Sequence, residues 1–415
     1  MSGLIKKRVL FLVAFGFSKA TVFFAPLLLS NVLTLQNLGI LEYAMNIGFV
    51  GAAILNLGVP NAYPYFKLKR GFKTIFQGFN FHLLYVLVTS IIVVGYVLLF
   101  NNDEKLVLSI LFIYNLSNQG FYSMRYKTNE IIVKAVIIDA LFYVVLASSY
   151  LYMYFYGNTS IHVILIFSIF YSCCFAGIAL FKQDWINLRA NFKKHQKLIK
   201  YGKSVMVSGF LILLIANSGK IILEFILKDI ELVGIFSFYF RMASFVVIIH
   251  QVLNIIYFRR IYTFSIKKLD SYFAAFLLII ATGAIVTFYL VPIIGEPYFV
   301  LFKTFQEYKD IYLILCFQMV FWIILANNEN VIYREKLAAK MNIGFIISIG
   351  VFAILVGLLK STLNFLIVVK FLYIFVVISV YIQFFILYKY KRIVLRKTIF
   401  ISSCVFIISL LTILI

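Results

Sequence analysis

Runs of about 20 consecutive apolar residues recur along almost the whole chain, and no other feature restricts its fold as strongly. A helix of about 20 residues is long enough to cross a hydrocarbon core about 30 Å thick. The runs are apolar on every side, whereas the strands of a membrane barrel alternate apolar and polar residues. Of 415 residues, 64% are hydrophobic and only 13% are charged. The chain is therefore predicted to be all-α, a polytopic bundle of transmembrane helices.

The apolar runs predict twelve membrane spans, arranged as two lobes of six helices. The spans are placed at 9–30, 38–59, 79–100, 106–124, 131–156, 161–181, 204–226, 235–258, 271–294, 311–327, 342–359 and 363–388. The longest polar stretch divides them into an N-terminal lobe at 1–181, a cytoplasmic basic linker at 182–204 and a C-terminal lobe at 205–388. Residues 389–415 form a basic segment and a further apolar run. Whether that run, 398–415, spans the membrane is left open, so the number of spans is twelve, thirteen or more.

The distribution of positive charge predicts the orientation of the chain. With a cytoplasmic N-terminus, 28 of the 38 Lys and Arg residues fall in cytoplasmic segments, 5 in external loops and 5 inside spans. Such an excess of Lys and Arg on one side is the positive-inside signal. The basic segments are therefore expected to face anionic membrane lipids. Although the net charge is +23, no nucleic-acid partner is expected.

Cysteine, histidine and glycine patterns predict neither a metal site nor a cofactor. The four cysteines lie in apolar runs and the four histidines are scattered along the chain. No GxxxxGK[ST] loop is present to bind a nucleotide. The sequence therefore predicts no catalytic residues, no metal and no cofactor, and any transport would be driven by an ion gradient or by supply of the cargo.

An internal repeat links the two predicted lobes. Residues 38–50, LGILEYAMNIGFV, align with 233–245, VGIFSFYFRMASF, at an offset of 195. A polar stripe occupies one helical face in the first copy at Glu42, Asn46, Phe49, Ala53 and Asn56. The same face in the second copy carries Ser237, Arg241, Ser244, Ile248 and Gln251. Because polar side chains are costly in hydrocarbon, both faces are expected to point at protein or at a water-filled cavity. Parallel repeats of this kind are typical of two-lobed transporters.

Basic residues inside the spans are candidates for binding an anionic cargo, since a cation–phosphate pair is strong where water is excluded. They are Lys19, Lys134, Lys220, Arg241 and Lys370. Arg241 is preferred because it lies in mid-helix on the polar stripe and can bind phosphate with two N–H groups. The predicted substrate-binding set comprises Arg241, Lys19, Lys220, Asn46, Asn56, Ser237, Ser244 and Gln251. Pairing of each cation with an acid, or extension of a lysine to the interface, is the structural alternative.

Two acids lie well inside the predicted spans, Asp139 and Glu224. A carboxylate in a low-dielectric environment can exchange protons near neutral pH. Both residues are therefore candidates for coupling transport to an ion gradient. The alternative is that they are structural partners of the intramembrane cations.

The first two predicted helices carry a family resemblance. Their sequence is SKATVFFAPLLLSNVLTLQNLGILEYAMNIGFVGAAILNLGVPNAYPYF, with Pro26 in the first helix, Leu38-Gly39 before the second and Leu57-Gly58 after it. This arrangement resembles bacterial polysaccharide flippases of the Wzx type, within the multidrug/oligosaccharidyl-lipid/polysaccharide exporter superfamily. The layout of six plus six spans with a basic central segment is also similar to that family over residues 1–388.

The resemblance implies a protein of the bacterial inner membrane that is not an enzyme. Its cargo would be an undecaprenyl-pyrophosphate-linked oligosaccharide, the repeat unit of O-antigen in lipopolysaccharide biosynthesis or of a capsule. It would cross the membrane by alternating access of the two lobes, and a polysaccharide polymerase complex is an implied further partner. Two alternatives stay open: an integral-membrane polysaccharide polymerase and a multidrug exporter of the same superfamily. The longest external loop, 295–310, contains no Arg or His, and cations outnumber acids in the spans; these features favour the flippase.

Overall fold

The computed structural model describes residues 2–69, 71, 74–100, 103–129, 131–181, 186–247, 250 and 264–414. Within these ranges the chain consists of helices and short connections, and it contains no strand. Nine helices of the described part are long and apolar enough to cross a membrane, and the bent helical segment 188–215 would be a tenth. The prediction of an all-α, polytopic helical bundle is confirmed.

Fourteen helices of six or more residues are described. They are α1 (Ser2–Leu29), α2 (Leu35–Leu55), α3 (Val59–Pro64), α4 (Ile75–Phe100), α5 (Glu104–Thr128), α6 (Ile132–Tyr156), α7 (His162–Phe181), α8 (Leu188–Ile222), α9 (Ile230–Ala243), α10 (Ile266–Gly295), α11 (Phe305–Arg334), α12 (Ala338–Leu358), α13 (Phe365–Lys391) and α14 (Arg396–Leu414). Two π-helical turns, Tyr65–Lys69 and Leu223–Leu227, extend α3 and α8. Every predicted apolar run overlaps one of these helices. The second half of the run 235–258 lies largely outside the described residues.

The basic segment 182–204, predicted as a linker, is helical over most of its described length. Helix α8 begins at Leu188 and continues into the next apolar run. Asn191, His195, Leu198 and Gly202 are buried, while most of the basic residues between them are exposed. Buried positions at this spacing share one helical face, so the segment is an amphipathic helix. The many basic residues of the other face make the spacing of the buried residues hard to recognise in the sequence.

The described contacts divide the chain into two compact units, Met1–Phe210 and Leu211–Ile415. In the first unit, α5 packs against α2, α4, α6 and α7. In the second unit, α11 packs against α9, α10, α13 and α14. Each unit is therefore built around one central helix, which is the fourth predicted span of its half. The lobe and linker boundaries drawn from the sequence stay predictions.

Small residues allow α2 to approach α5 closely. A Cβ atom added at Gly51 would lie 2.4 Å from Cδ1 of Ile113, and one added at Gly48 would lie 2.9 Å from Cβ of Phe112. Both distances are too short for two carbon atoms. In a membrane, where lipid is as apolar as leucine, close packing of this kind is a main source of helix–helix stability. The glycines of α2 therefore allow its backbone to approach α5 closely.

The apolar run 398–415 forms α14, which packs against α10 and α11 in the second unit. The carboxylate of Asp270 on α10 accepts hydrogen bonds from the backbone N–H groups of Lys397 and Thr398, each at 3.0 Å, and from the Thr398 hydroxyl at 2.9 Å. Helix N-termini carry unpaired N–H groups and a partial positive charge, so a carboxylate there is stabilising. Asp270 thus fixes the start of α14 to the helix beside it.

Replacing Asp270 with alanine is expected to destabilise the second unit by about 2 kcal/mol, because two backbone donors and a hydroxyl lose a charged acceptor. The measurement is thermal unfolding of the purified protein in detergent, together with proteolysis at 389–396. The matched control is Asp310→Ala, since Asp310 is exposed on α11. Equal unfolding midpoints for the two variants would show that Asp270 does not hold α14.

Candidate functional site

A row of polar side chains follows one face of α5, the central helix of the first unit. This α5 stripe comprises Asn115, Asn118, Gln119, Tyr122 and Arg125, and their spacing of three, one, three and three residues places them on one side of the helix. The first four are buried. Because a buried polar group is costly without a partner, the stripe requires hydrogen bonds from its neighbours or from solvent and ligand.

Neighbouring helices supply part of those bonds. The Asn115 amide donates to the backbone oxygen of Ser168 at 3.3 Å and accepts from the Ser172 hydroxyl at 3.0 Å, both on α7. Gln119 donates to the backbone oxygen of Asp139 at 2.6 Å and accepts from the backbone N–H of Phe142 at 3.0 Å, both on α6. The stripe therefore joins three helices of the first unit.

Other polar atoms in the same interior are buried and have no partner among the described residues. They are Oδ1 of Asn118 and the hydroxyls of Ser117, Ser123 and Ser168. In folded proteins more than nine in ten buried polar groups are hydrogen-bonded, to protein or to ordered water. Several unpaired groups together indicate an interior that takes up water or a polar ligand.

A cationic cluster, defined here as Lys67 and Arg125, lies where the α5 stripe ends. The Arg125 guanidinium stacks on the ring of Phe76 at 4.6 Å, and Tyr63 lies within its electrostatic range. Lys67 places its ammonium 5.6 Å from the centre of the Tyr63 ring and donates a short hydrogen bond to Asn129. Nη1 of Arg125 is buried and has no hydrogen-bond partner among the described residues. The two cations therefore lie beside one tyrosine.

The central helix of the second unit repeats this pattern 209 residues later. Asn118, Gln119 and Arg125 correspond to Asn327, Asn328 and Arg334. Asn327 and Asn328 are buried, as their counterparts are. The arginines differ, because Arg334 is engaged within its own unit. Its Nε donates to a Glu335 carboxylate oxygen at 2.8 Å, and its Nη1 donates to the backbone oxygen of Phe264 at 3.2 Å.

Two histidines that are far apart in the sequence form a buried pair. Nδ1 of His82 on α4 lies 3.0 Å from Nε2 of His195 on α8. Nε2 of His82 lies 3.3 Å from Oδ1 of Asn56, the residue that ends α2. With Oδ1 as acceptor, His82 carries its hydrogen on Nε2, and His195 donates to Nδ1 of His82. The described residues contain no group of three potential metal ligands.

The predicted polar stripe of α2 lies inside the first unit. Asn46 is buried, and Asn56 is engaged with His82. In the counterpart stripe, one turn residue at Ser244 separates α9 from the helical residues 245–247. Helix α9 ends at Ala243, where Ser244 caps it and donates from its hydroxyl to the backbone oxygen of Arg241 at 2.7 Å. Ile248 and Gln251 lie outside the described residues.

The remaining predicted residues of the second unit lie on neighbouring elements. Ser237 on α9 is buried, and Arg241, one turn further along that helix, is half-buried. Lys220 is buried near the end of α8, and Glu224 follows one turn later in the π-helical turn Leu223–Leu227. This turn packs against α9. The structure therefore brings the helical segments of these four residues together, and their roles in binding and coupling stay predictions.

Asp139 lies in a group of charges formed by α1, α5 and α6. Its carboxylate pairs with the Lys127 ammonium at 2.8 Å, and the two side chains are 42% and 49% exposed. Lys19 on α1 lies within electrostatic range of both. Lys19 therefore has an acid nearby that helical spacing within α1 does not reveal. This arrangement fits the structural alternative for Asp139, and its coupling role stays a prediction.

Comparison with known proteins gives little direct information. No protein-family model matches the chain, and no curated protein matches it. Among solved structures, the chain is similar to the crystal structure of a eukaryotic MATE transporter, AtDTX14, with 11% identity and a TM-score of 0.41 over 96% of this chain and 94% of that one. At this level of similarity the fold of the chain rests on its own helices and contacts.

Proposed function

We propose that the chain is a flippase of the bacterial inner membrane that moves a lipid-pyrophosphate-linked oligosaccharide to the outer leaflet. The proposal combines a polytopic helical fold, a polar interior in each unit and cations placed at membrane helices. The choice of cargo class is based on the resemblance of residues 18–66 to Wzx-type flippases. In this proposal the cargo is an undecaprenyl-pyrophosphate-linked repeat unit of O-antigen or capsule, and the protein acts as a transporter rather than as an enzyme.

The observation that carries the proposal is the unpaired N–H donor group of Arg125 at the end of the α5 stripe. Charged groups near the membrane interior are costly and are generally found where function requires them. An arginine that stacks on Phe76 and retains a buried N–H donor suits a planar anionic oxygen group such as phosphate. Lys67 lies close by and adds a second positive charge. The cluster lies at the predicted cytoplasmic end of α5, where a cargo made in the cytoplasm would enter.

The α5 stripe and its repeat on α11 suit the sugar part of such a cargo. Amide and hydroxyl groups exchange hydrogen bonds with sugar hydroxyls about as well as with water, so a hydrated polar interior lowers the cost of moving a sugar through the membrane. The lipid tail stays in the hydrocarbon. In the proposed cycle the two units alternate between states open to each side.

The test follows lipid-linked repeats in the two leaflets after deletion of the gene. A flippase mutant accumulates single repeats on the cytoplasmic side, and the wild-type gene restores their export. A mutant lacking a polymerase still exports single repeats but makes no long chains. A multidrug exporter mutant shows normal repeats and increased sensitivity to cationic drugs. Either of the last two results would contradict the proposal.

Arg241 gives a prediction in the second unit. Replacing Arg241 with alanine is expected to reduce export at least about tenfold, because a charged hydrogen bond to phosphate contributes about 1.5–3 kcal/mol. Arg241→Lys, which retains the charge but not the two-donor geometry, is expected to retain part of the activity. The measurement is the leaflet assay, normalised to the amount of folded protein. Export by the alanine variant at the wild-type rate would show that Arg241 does not bind the cargo.

A further inference from the structure

An apolar groove lies in the second unit between α8 and α12. It encloses about 290 Å³ and is lined by Ile222 and Phe225 at the end of α8, by Ala353, Val356 and Gly357 on α12, and by Phe375 on α13, among others. Apart from one serine, its lining consists of apolar residues and glycine. Helix α12 is a candidate membrane span, so the groove is at the depth of the hydrocarbon, where its occupant must be apolar as well.

One end of the groove carries a positive charge. The ammonium of Lys360 lies 5.9 Å from the centre of the Phe225 ring, and Phe225 is a wall residue of the groove. Lys360 begins the short helical turn that follows α12, three residues after Gly357. The charge distribution predicts this turn to be on the outer side of the membrane. An apolar channel that ends at a lysine at the interface matches a lipid with a phosphate above a hydrocarbon tail.

The size and shape of the groove favour a single branched chain. A volume of about 290 Å³ is at the lower limit of small-ligand pockets, so it holds a segment of one chain and not a pair of acyl chains. At Gly357 a Cβ atom would have no neighbour within 4 Å, so the groove is open at this point and leaves room for a branched chain. Phe352 and Phe375, stacked at 4.3 Å, form a flat wall beside it.

We infer that this groove binds the polyprenyl tail of the lipid-linked cargo in the outer leaflet, with the lipid phosphate at Lys360. The inference rests on the proposed function, because the cargo considered there carries one isoprenoid chain and a phosphate. The groove would retain the tail on the outer side after the sugar has crossed. It is separate from the cationic cluster at Lys67 and Arg125, which belongs to the first unit.

The test uses the purified full-length protein in nanodiscs of phosphatidylcholine. A long-chain polyprenyl phosphate is added, and its retention on the protein is measured by native mass spectrometry. Ala353→Trp fills the groove, and Ile354→Trp is the matched control, because Ile354 is 63% exposed and is not part of the lining. We expect Ala353→Trp to lower the affinity about tenfold and Ile354→Trp to leave it within about twofold of wild type.

A second pair of variants tests the charge and does not depend on the folding of a tryptophan variant. Lys360→Glu is expected to lower the affinity for polyprenyl phosphate about tenfold, whereas Lys303→Glu, a change of the same charge in another external loop, is expected to have less than a twofold effect. Equal binding by Ala353→Trp and Ile354→Trp, or by the two lysine variants, would overturn the inference. Displacement of polyprenyl phosphate by an equal concentration of phosphatidylglycerol would also overturn it, since the occupant would then be an acyl chain.

The two proposals fail in different ways. If the wild-type protein binds polyprenyl phosphate through the groove but exports no lipid-linked repeats in cells, the proposed function is wrong and the inference about the groove holds. If the protein exports repeats and Ala353→Trp binds polyprenyl phosphate like wild type, the inference about the groove is wrong and the proposed function holds.

Discussion

Replacing Gly202 with valine is expected to prevent the first unit from reaching its native packing. A Cβ atom added at Gly202 would lie 2.7 Å from the backbone carbon and oxygen of Gly58, and one added at Gly58 would lie 2.2 Å from the backbone oxygen of Gly202. Gly58 also has a φ of +69°, a backbone conformation that residues other than glycine rarely adopt. Because the obstacle is backbone, no side-chain rotation relieves it. Overpacking of a core costs about 1–3 kcal/mol, so a clash with backbone is expected to exceed about 3 kcal/mol.

Gly209→Val on the same helix is the matched control. Gly209 is exposed, and a Cβ atom there would have no neighbour within 4 Å. Both substitutions replace glycine with valine in a helix, so the change in helix propensity, less than about 1 kcal/mol, is the same at the two positions. The measurement is the fraction of protein that elutes as a single folded species in detergent, with its unfolding midpoint. If Gly202→Val folds like Gly209→Val, the close approach of α8 to the start of α3 is not required.

The reason for so large an effect is the position of α8. Its buried face contacts α4 at a second point, since a Cβ atom at Gly78 would lie 2.6 Å from Cβ of Lys194 and 2.7 Å from the backbone nitrogen of His195. That contact holds the ring of His195 against His82. A shift of α8 at Gly202 would therefore also separate His195 from His82.

The membrane spans could be predicted from sequence because their signal is local. A run of 20 apolar residues identifies a helix without any knowledge of its neighbours. The histidine pair could not be predicted in this way. His82 and His195 are 113 residues apart, and nothing in the sequence around either one specifies the other. The same holds for Gly58 and Gly202, which approach each other only because two helices dock.

The candidate site was predicted only in part, and the errors have physical causes. Arg125 is one of the 28 basic residues that the sequence places in cytoplasmic segments, because it lies at a helix end, although the structure buries one of its nitrogen atoms. The far end of the second polar stripe, Ile248 and Gln251, lies outside the described residues, so that part of the stripe stays a prediction. The sequence predicts an intramembrane cation as the alternative partner of Asp139 but does not identify Lys127, because Lys127 is on another helix.

Replacing Arg125 with alanine is expected to reduce export of lipid-linked repeats by about 10- to 100-fold while leaving the protein folded. The reduction corresponds to the loss of one charged hydrogen bond to phosphate, about 1.5–3 kcal/mol. The fold is expected to persist because the guanidinium contributes a contact with Phe76 but no hydrogen bond from Nη1 within the described chain. Arg125→Lys retains the charge and is expected to recover part of the activity. The measurement is the leaflet assay, normalised to folded protein.

Arg334 supplies the matched control, because it occupies the corresponding place in the second unit and is already bonded to Glu335 and to the backbone oxygen of Phe264. Arg334→Ala removes those bonds, so it is expected to lower the unfolding midpoint while export per folded molecule stays within about threefold of wild type. The two arginines thus separate a ligand-binding role from a structural one at equivalent positions. If Arg125→Ala lowers the unfolding midpoint as much as Arg334→Ala does and leaves export per folded molecule unchanged, Arg125 is structural as well. The cationic cluster would then not be where the phosphate binds.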